Sequence, residues 1–183
     1  LRCATASDGE ITVTATGGSG ALQYSDTNVS TYQAGNVFSH LAAVNYNIIV
    51  KDANGCVSAV TSVTITAPAA VTITSAVKTQ YTGSDLSCAT ASDGEITVTA
   101  TGGSGTLQYS DDNGATYQAG NVFSNLAAGT DNIIVKDDNN CTSTAQDVTI
   151  SAPDPITASV AQSTIAWNGG TATITITTDG GNG

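Results

Sequence analysis

The eighteen residues from Cys3 to Gly20, CATASDGEITVTATGGSG, recur without a change from Cys88 to Gly105. A repeat of this length at a period of 85 residues constrains the fold more than any other feature. It marks an array of like modules, each a small unit that stacks on its neighbours. Residues 3–68 align with 88–153 without a gap, and 50 of the 66 positions are identical. The differences cluster at Thr27 to Ser30 against Asp112 to Ala115, at Val44 to Tyr46 against Gly129 to Asp131, and at Val57 to Ser62 against Thr142 to Asp147. These clusters are expected to be turns and exposed faces. The period divides the chain into a first repeat (1–67) that lacks its opening strand, a complete second repeat (68–152), and the opening strands of a divergent third (153–183) without a cysteine. Because the sequence starts and stops inside a repeat, it reads as an excerpt of a longer protein, with targeting signals outside it.

Within a repeat the apolar residues alternate. Ile96, Val98 and Ala100 fall on one face of Glu95 to Thr101 and threonines on the other, which is a half-buried strand of residues that suit a pleated surface. Gly102-Gly103-Ser104-Gly105 ends it as a turn. Further strands are expected at Val71–Val77, Thr106–Ser110, Thr116–Ala119, Asn121–Leu126, Asn132–Asp137 and Gln146–Ala152. No segment spaces its apolar residues as a helix would. Seven short strands per period, separated by turn signals, predict an all-β chain: tandem immunoglobulin-like β-sandwich repeats of about 85 residues arranged end to end. Pro68 and Pro153 close the modules, since proline cannot continue a ladder.

Composition narrows the partners. Four Lys and Arg against fifteen Asp and Glu give a net charge of −11, so the chain cannot neutralise phosphates, and neither nucleic acid nor anionic lipid is an expected partner. With 40% hydrophobic residues and a mean hydropathy of +0.05, it has enough apolar material for a globular fold. No apolar run approaches the roughly 20 residues of a membrane-spanning helix.

Cys3 and Cys56 are 53 positions apart, and so are Cys88 and Cys141. Of the three connectivities that four cysteines allow, intra-repeat bonds Cys3–Cys56 and Cys88–Cys141 are the most economical. Closing each loop would stabilise a module by about 4 kcal/mol in the chain-entropy model. Such bonds imply an oxidising compartment, hence secretion. A zinc site is poorly supported: each repeat has two cysteines, and the single histidine, His40, becomes Asn125 in the second repeat.

The acidic turns Lys51-Asp52-Ala53-Asn54-Gly55-Cys56 and Lys136-Asp137-Asp138-Asn139-Asn140-Cys141 leave two readings open. Asp52, Asn54, Asp137, Asp138 and Asn139 supply the oxygens a calcium ion takes, and the same residues make tight turns. Beyond calcium no cofactor is expected. Lys51 and Lys136 raise the question of isopeptide cross-links, although a solvent-facing lysine is the commoner state. Asn28-Val29-Ser30 and Asn140-Cys141-Thr142 fit the glycosylation sequon. No nucleophile elbow, phosphate-cradling loop or metalloprotease helix occurs, and no enzyme activity is expected.

The order Cys-x4-Asp-Gly-x-Ile-x-Val, Gly-Gly-Ser-Gly, Gln-Tyr-Ser, Asn-Leu-Ala-Ala-Gly, Ile-Ile-Val-Lys-Asp-x-Asn-x-Cys resembles the SprB-type repeats of Bacteroidetes gliding and surface adhesins, over residues 3 to 153. The resemblance implies export by the type IX route and display at the outer membrane of a Gram-negative bacterium. On this reading the repeats form the structural stalk of a long secreted cell-surface adhesin or filament, serving gliding motility or attachment. Its partners would be neighbouring repeats, laterally assembled copies, and a surface or polysaccharide target bound elsewhere in the parent protein. The alternative is a set of polysaccharide-binding ancillary modules.

Overall fold

The structure, a computed structural model, describes residues 1–27 and 30–182. Asn28 and Val29, with the first sequon and part of the first variable turn, lie outside the described residues. Those described contain strands and turns and no helix. They form two compact units: Leu1–Thr72 with Thr101–Leu107 and Lys136–Ser143, and Ile73–Ala100 with Gln108–Val135 and Thr144–Gly183.

The first unit holds β1 (Gly9–Thr12), β2 (Gln23–Ser25), β3 (Val37–Leu41), β4 (Asn45–Lys51) and β5 (Thr61–Thr64). β1 pairs with β3, and β4 runs between β2 and β5, all antiparallel. Alternation explains what is buried. Ile11 from β1, Phe38 and Leu41 from β3 and Ile48 from β4 form the core, with Val13, Tyr24, Tyr46, Val63 and Ile65 packed on it. The two sheets therefore face each other as a sandwich.

The second unit repeats this plan with the opening strand present. β6 (Thr72–Lys78), β7 (Gly94–Thr101) and β9 (Val122–Leu126) make one sheet. β8 (Gln108–Ser110), β10 (Gly129–Lys136) and β11 (Gln146–Ile150) make the other. Leu86, Ile96, Val98, Ile133 and Val135 are fully shielded. The layers pack closely at Gly94: a Cβ there would lie 3.0 Å from Leu86 Cδ2 and 3.2 Å from Ile150 Cγ2. The expected strand at Thr116–Ala119 is reduced to one bridge, Gln118 to Tyr109. The Gln118 side chain explains the early end, because its Nε2 donates to the carbonyls of Gly120 and Val122 and folds the chain back.

β3 and β9 each carry a bulge. Gly9 pairs with Leu41 and Ile11 with Phe38, and the equivalent shift occurs at Gly94 and Glu95. The extra residue is His40 (φ 58°) or Asn125 (φ 61°), a left-handed position that asparagine and histidine tolerate better than most. The one histidine is thus a bulge residue in a strand.

Among the described residues, β12 (Thr157–Gln162) and β13 (Ile174–Asp179) pair only with each other. Val160, Ile174 and Ile176 remain about two-thirds exposed, and Trp167 is 72% exposed.

Candidate functional site

The loops after β4 and β10 concentrate the chain's polar chemistry, and each is built round one aspartate. Asp52 accepts the backbone N–H of Ser19 on Oδ2 (3.0 Å) and those of Asn54 (3.0 Å) and Cys56 (2.9 Å) on Oδ1. Asp137 does the same with Ser104 (2.8 Å), Asn139 (2.9 Å) and Cys141 (2.9 Å). Both side chains lie against a left-handed glycine, Gly18 or Gly103, where any Cβ would approach the aspartate Cβ to under 3.0 Å. Ser19's N–H holds the Asp52 carboxyl below its ordinary range, helped by those of Cys56 and Asn54. Burial pushes the Asp137 carboxyl up, but the amides of Cys141, Ser104 and Asn139 outweigh it and leave it lowered. Each carboxylate is an internal clamp whose acceptors are taken by amide donors.

That placement decides what the five calcium candidates do. Asp52 and Asp137 turn inward onto the backbone. Asp138 bonds the N–H and hydroxyl of Thr106. Asn54 and Asn139 contribute their main-chain N–H to the clamps, and the Asn139 side chain donates to the Arg2 carbonyl (3.3 Å). Among the described residues no three His, Cys, Asp or Glu gather as a metal set would require. Thr106 and Asp138 replace Ala21 and Ala53 of the first repeat, so both partners of this bond are new together.

The cysteines depart from the expected pairing. The structure joins Cys3 to Cys141, with Cα atoms 5.6 Å apart, and leaves Cys56 and Cys88 as exposed thiols. The intra-repeat bonds Cys3–Cys56 and Cys88–Cys141 are therefore not those of the structure. The reason is the length of the sandwich. Leu1, beside Cys3, packs at the Gly9 end of β1, and the Cys56 loop lies at Gly18. The nine steps from Gly9 to Gly18, of which Gly9–Thr12 are strand, reach on the order of 30 Å when extended, whereas a disulfide needs Cα atoms within about 7 Å.

Sequence reasoning missed one cluster. Lys78 Nζ meets Asp85 Oδ2 at 2.7 Å and donates to the Thr149 carbonyl, also at 2.7 Å. Asp85 Oδ2 also accepts the N–H and hydroxyl of Ser151. Burial raises the Asp85 carboxyl, but the bonds from Lys78 and Ser151 prevail and leave it lowered. The available signal was that Lys78 is one of only four cations and stands at the end of a strand. Of the lysines considered for cross-linking, Lys51 lies over the ring of Tyr32, 4.0 Å from its centroid.

Each repeat also carries the same small cleft. In the first repeat it is lined by Tyr24, Asp26, Thr31, Tyr32, Gln33 and Ser39, with a volume of about 350 Å³. In the second the lining is Tyr109, Asp111, Thr116, Tyr117, Gln118 and Ser124, at about 250 Å³.

Comparison with known proteins bears on the repeat itself. The SprB repeat family model matches residues 1–31 and 81–116. No curated protein sequence matches. Among solved structures, the chain is similar to a C-terminal 282-residue fragment of intimin, solved in complex with the intimin-binding domain of the translocated intimin receptor. That likeness has 13% identity and a TM-score of 0.38, covering 84% of this chain and 55% of the fragment. It is also similar to fibronectin(III)-like modules of Clostridium thermocellum CbhA, with 19% identity and a TM-score of 0.31, covering 81% of this chain and 86% of that one. The two cysteine-led stretches of the chain are thus SprB-type repeat sequence.

Proposed function

We propose that the chain is a run of structural stalk repeats in a long secreted cell-surface adhesin or filament, displayed at the outer membrane of a Gram-negative bacterium and serving attachment or gliding. The supporting observation is that the same SprB-type sequence recurs with the same internal fastening: Asp52 and Asp137 clamp equivalent loops through equivalent amides. The conspicuous polar groups are spent on holding backbone. Catalysis forms no part of this reading, and the adhesive target is assigned to other parts of the parent protein. Small-angle scattering on chains of increasing repeat number tests the stalk role. The largest dimension should grow by a constant step per repeat, and a compact particle that thickens instead would defeat it. Antibody labelling of intact cells tests display.

The recurrent cleft favours polysaccharide binding as a second reading, since paired tyrosines beside Asp and Gln side chains offer both ring faces and hydrogen bonds to a sugar. A glycan array probed with the native chain and with Tyr32→Ala/Tyr117→Ala decides it. Binding that the double variant loses supports the reading, and no binding by the native chain removes it.

A further inference from the structure

The disulfide within the first unit joins the first cysteine of one repeat to the second cysteine of the next. The two unpaired cysteines occupy the same settings. Cys88 sits in a turn of the same form as that of Cys3: Ala91 N–H donates to the Cys88 carbonyl at 3.1 Å, as Ala6 N–H does to that of Cys3, also at 3.1 Å. Asp93 accepts the N–H of Ser87, as Asp8 accepts that of Arg2. Cys56 is held by Asp52 as Cys141 is held by Asp137, each N–H donating at 2.9 Å.

The surroundings of Cys88, all within the second unit, are also partly assembled. The Arg2 carbonyl, just before Cys3, accepts Asn139 Nδ2 of the following repeat at 3.3 Å. The Ser87 carbonyl, just before Cys88, accepts Asn182 Nδ2 of the third repeat at 3.2 Å, and Leu86 accepts it at 3.0 Å. The third repeat's turn is itself seated as the second's is. Gly181 N–H donates to the Asp154 carbonyl and Gly103 N–H to the Ala69 carbonyl, both at 2.8 Å.

We propose that the Cys88 turn is a covalent docking site for a following copy of this repeat. Its sulfur takes the second-type cysteine of that copy, carried on an Asp-clamped loop like Lys136 to Cys141, and Cys56 is the matching donor to the first-type cysteine of a preceding copy. Bonding is then staggered along the array, each repeat that carries a first-type cysteine fastened to the next. Such docking requires only that a cysteine-bearing copy of the 85-residue unit follows, wherever the protein is displayed. Formation is thiol–disulfide exchange with a low-molecular-weight disulfide such as oxidised glutathione. The Cys88 thiolate displaces one glutathione thiolate, and the partner's thiolate then attacks the Cys88 sulfur and releases the second. Two cysteine thiols are oxidised, and the glutathione disulfide is reduced to two thiols that keep the two protons.

Arg2, Lys51, Lys78 and Lys136 are the only tryptic sites, and they place each cysteine on its own peptide: 3–51, 52–78, 79–136 and 137–183. The native chain, oxidised with glutathione disulfide, alkylated and digested without reduction, should give 3–51 linked to 137–183, with 52–78 and 79–136 alkylated. Linkage of 3–51 to 52–78 and of 79–136 to 137–183 would overturn the proposal on this chain alone. The second measurement uses an extended chain in which residues 68–152 are repeated after Ala152, the added copy carrying Cys88→Ser. Here 79–136 of the first copy should be linked to the C-terminal peptide of the added copy. If Cys88 is alkylated while the Cys3–Cys141 bond has formed, or is bonded within its own copy, the proposal fails.

Discussion

Lys78 Nζ and Asp85 Oδ2, 2.7 Å apart, form an ion pair in which the carboxylate side chain is 3% exposed and the lysine 29%. The pair fastens the end of β6 to Thr149 and Ser151 at the end of β11. Removing one member of a shielded pair strands the other. Asp85→Ala should therefore lower unfolding stability by about 2–4 kcal/mol in urea titration, and adding Lys78→Met should recover part of the loss, because the stranded ammonium is gone.

Acid should weaken the fold over a narrow range. Asp52, Asp85, Asp112, Asp137 and Asp138 all sit below the ordinary 3.8, and Asp112 is brought to about 2 by the N–H and hydroxyl of Thr116 and the hydroxyl of Ser110. A carboxylate lowered on folding contributes stability that is fully present above its unfolded value and is lost as pH falls through its folded one. Thermal unfolding should thus hold steady down to about pH 4 and drop steeply between about pH 4 and 2, the interval between those two values. A midpoint already falling near pH 6 would contradict this.

Asp131 runs the other way. Burial, with the charge of Asp111 behind it, raises its carboxyl, and Oδ2 is shielded without a hydrogen bond. The first repeat has Tyr46 at this position, with its hydroxyl donating to the Ala42 carbonyl at 3.2 Å. Asp131→Tyr should stabilise by about 1 kcal/mol at neutral pH, the scale of relieving an unpaired polar group. A raised carboxyl is better tolerated once protonated, so the advantage should shrink as pH falls through the folded value. Paired denaturation curves at pH 7 and pH 4 test both statements.

The bulge residues offer a test of local geometry. At φ 58° and 61°, His40 and Asn125 hold conformations that a β-branched side chain resists. Asn125→Val should cost about 1–2 kcal/mol, whereas Asn125→Gly should leave the melting temperature within a few degrees of the native value.

Loss of the Cys3–Cys141 bond should be felt across the whole loop it closes. At a sequence separation of 138, the chain-entropy model puts the loss at about 5 kcal/mol. Cys141→Ser should lower stability strongly, while Cys56→Ser, removing an exposed thiol, should scarcely change it.

Much of the architecture was legible because strand alternation is a local property: Ile96 and Val98 announce their buried face from their spacing alone, and both are fully shielded. The disulfide was not, because identical repeats make spacing ambiguous. A cysteine at equivalent positions pairs equally well on paper within a repeat or one period away, and only the length of the sandwich separates the two. Asp85 escaped notice because Thr82-Gly83-Ser84-Asp85 reads as a polar link, though it lies between Tyr81 and the buried Leu86. Asp52 and Asp137 stood out as acidic, but their partners are backbone N–H groups, which every sequence contains and none displays. The bulge at His40 also left a trace: its replacement by Asn125 exchanges two residues that share a tolerance for the left-handed region.

The clamped loops have an evolutionary consequence. Since Asp52 and Asp137 grip main-chain amides, the clamp itself asks little of the letters between the aspartate and the cysteine beyond a residue that accepts the left-handed region, Gly55 or Asn140. Ala53 gives way to Asp138 and Gly55 to Asn140 while the clamp is unchanged. A gene that copies this unit can therefore leave the loop tip neutral in one copy, as at Ala53, and charged in the next, as at Asp138, on one clamped skeleton.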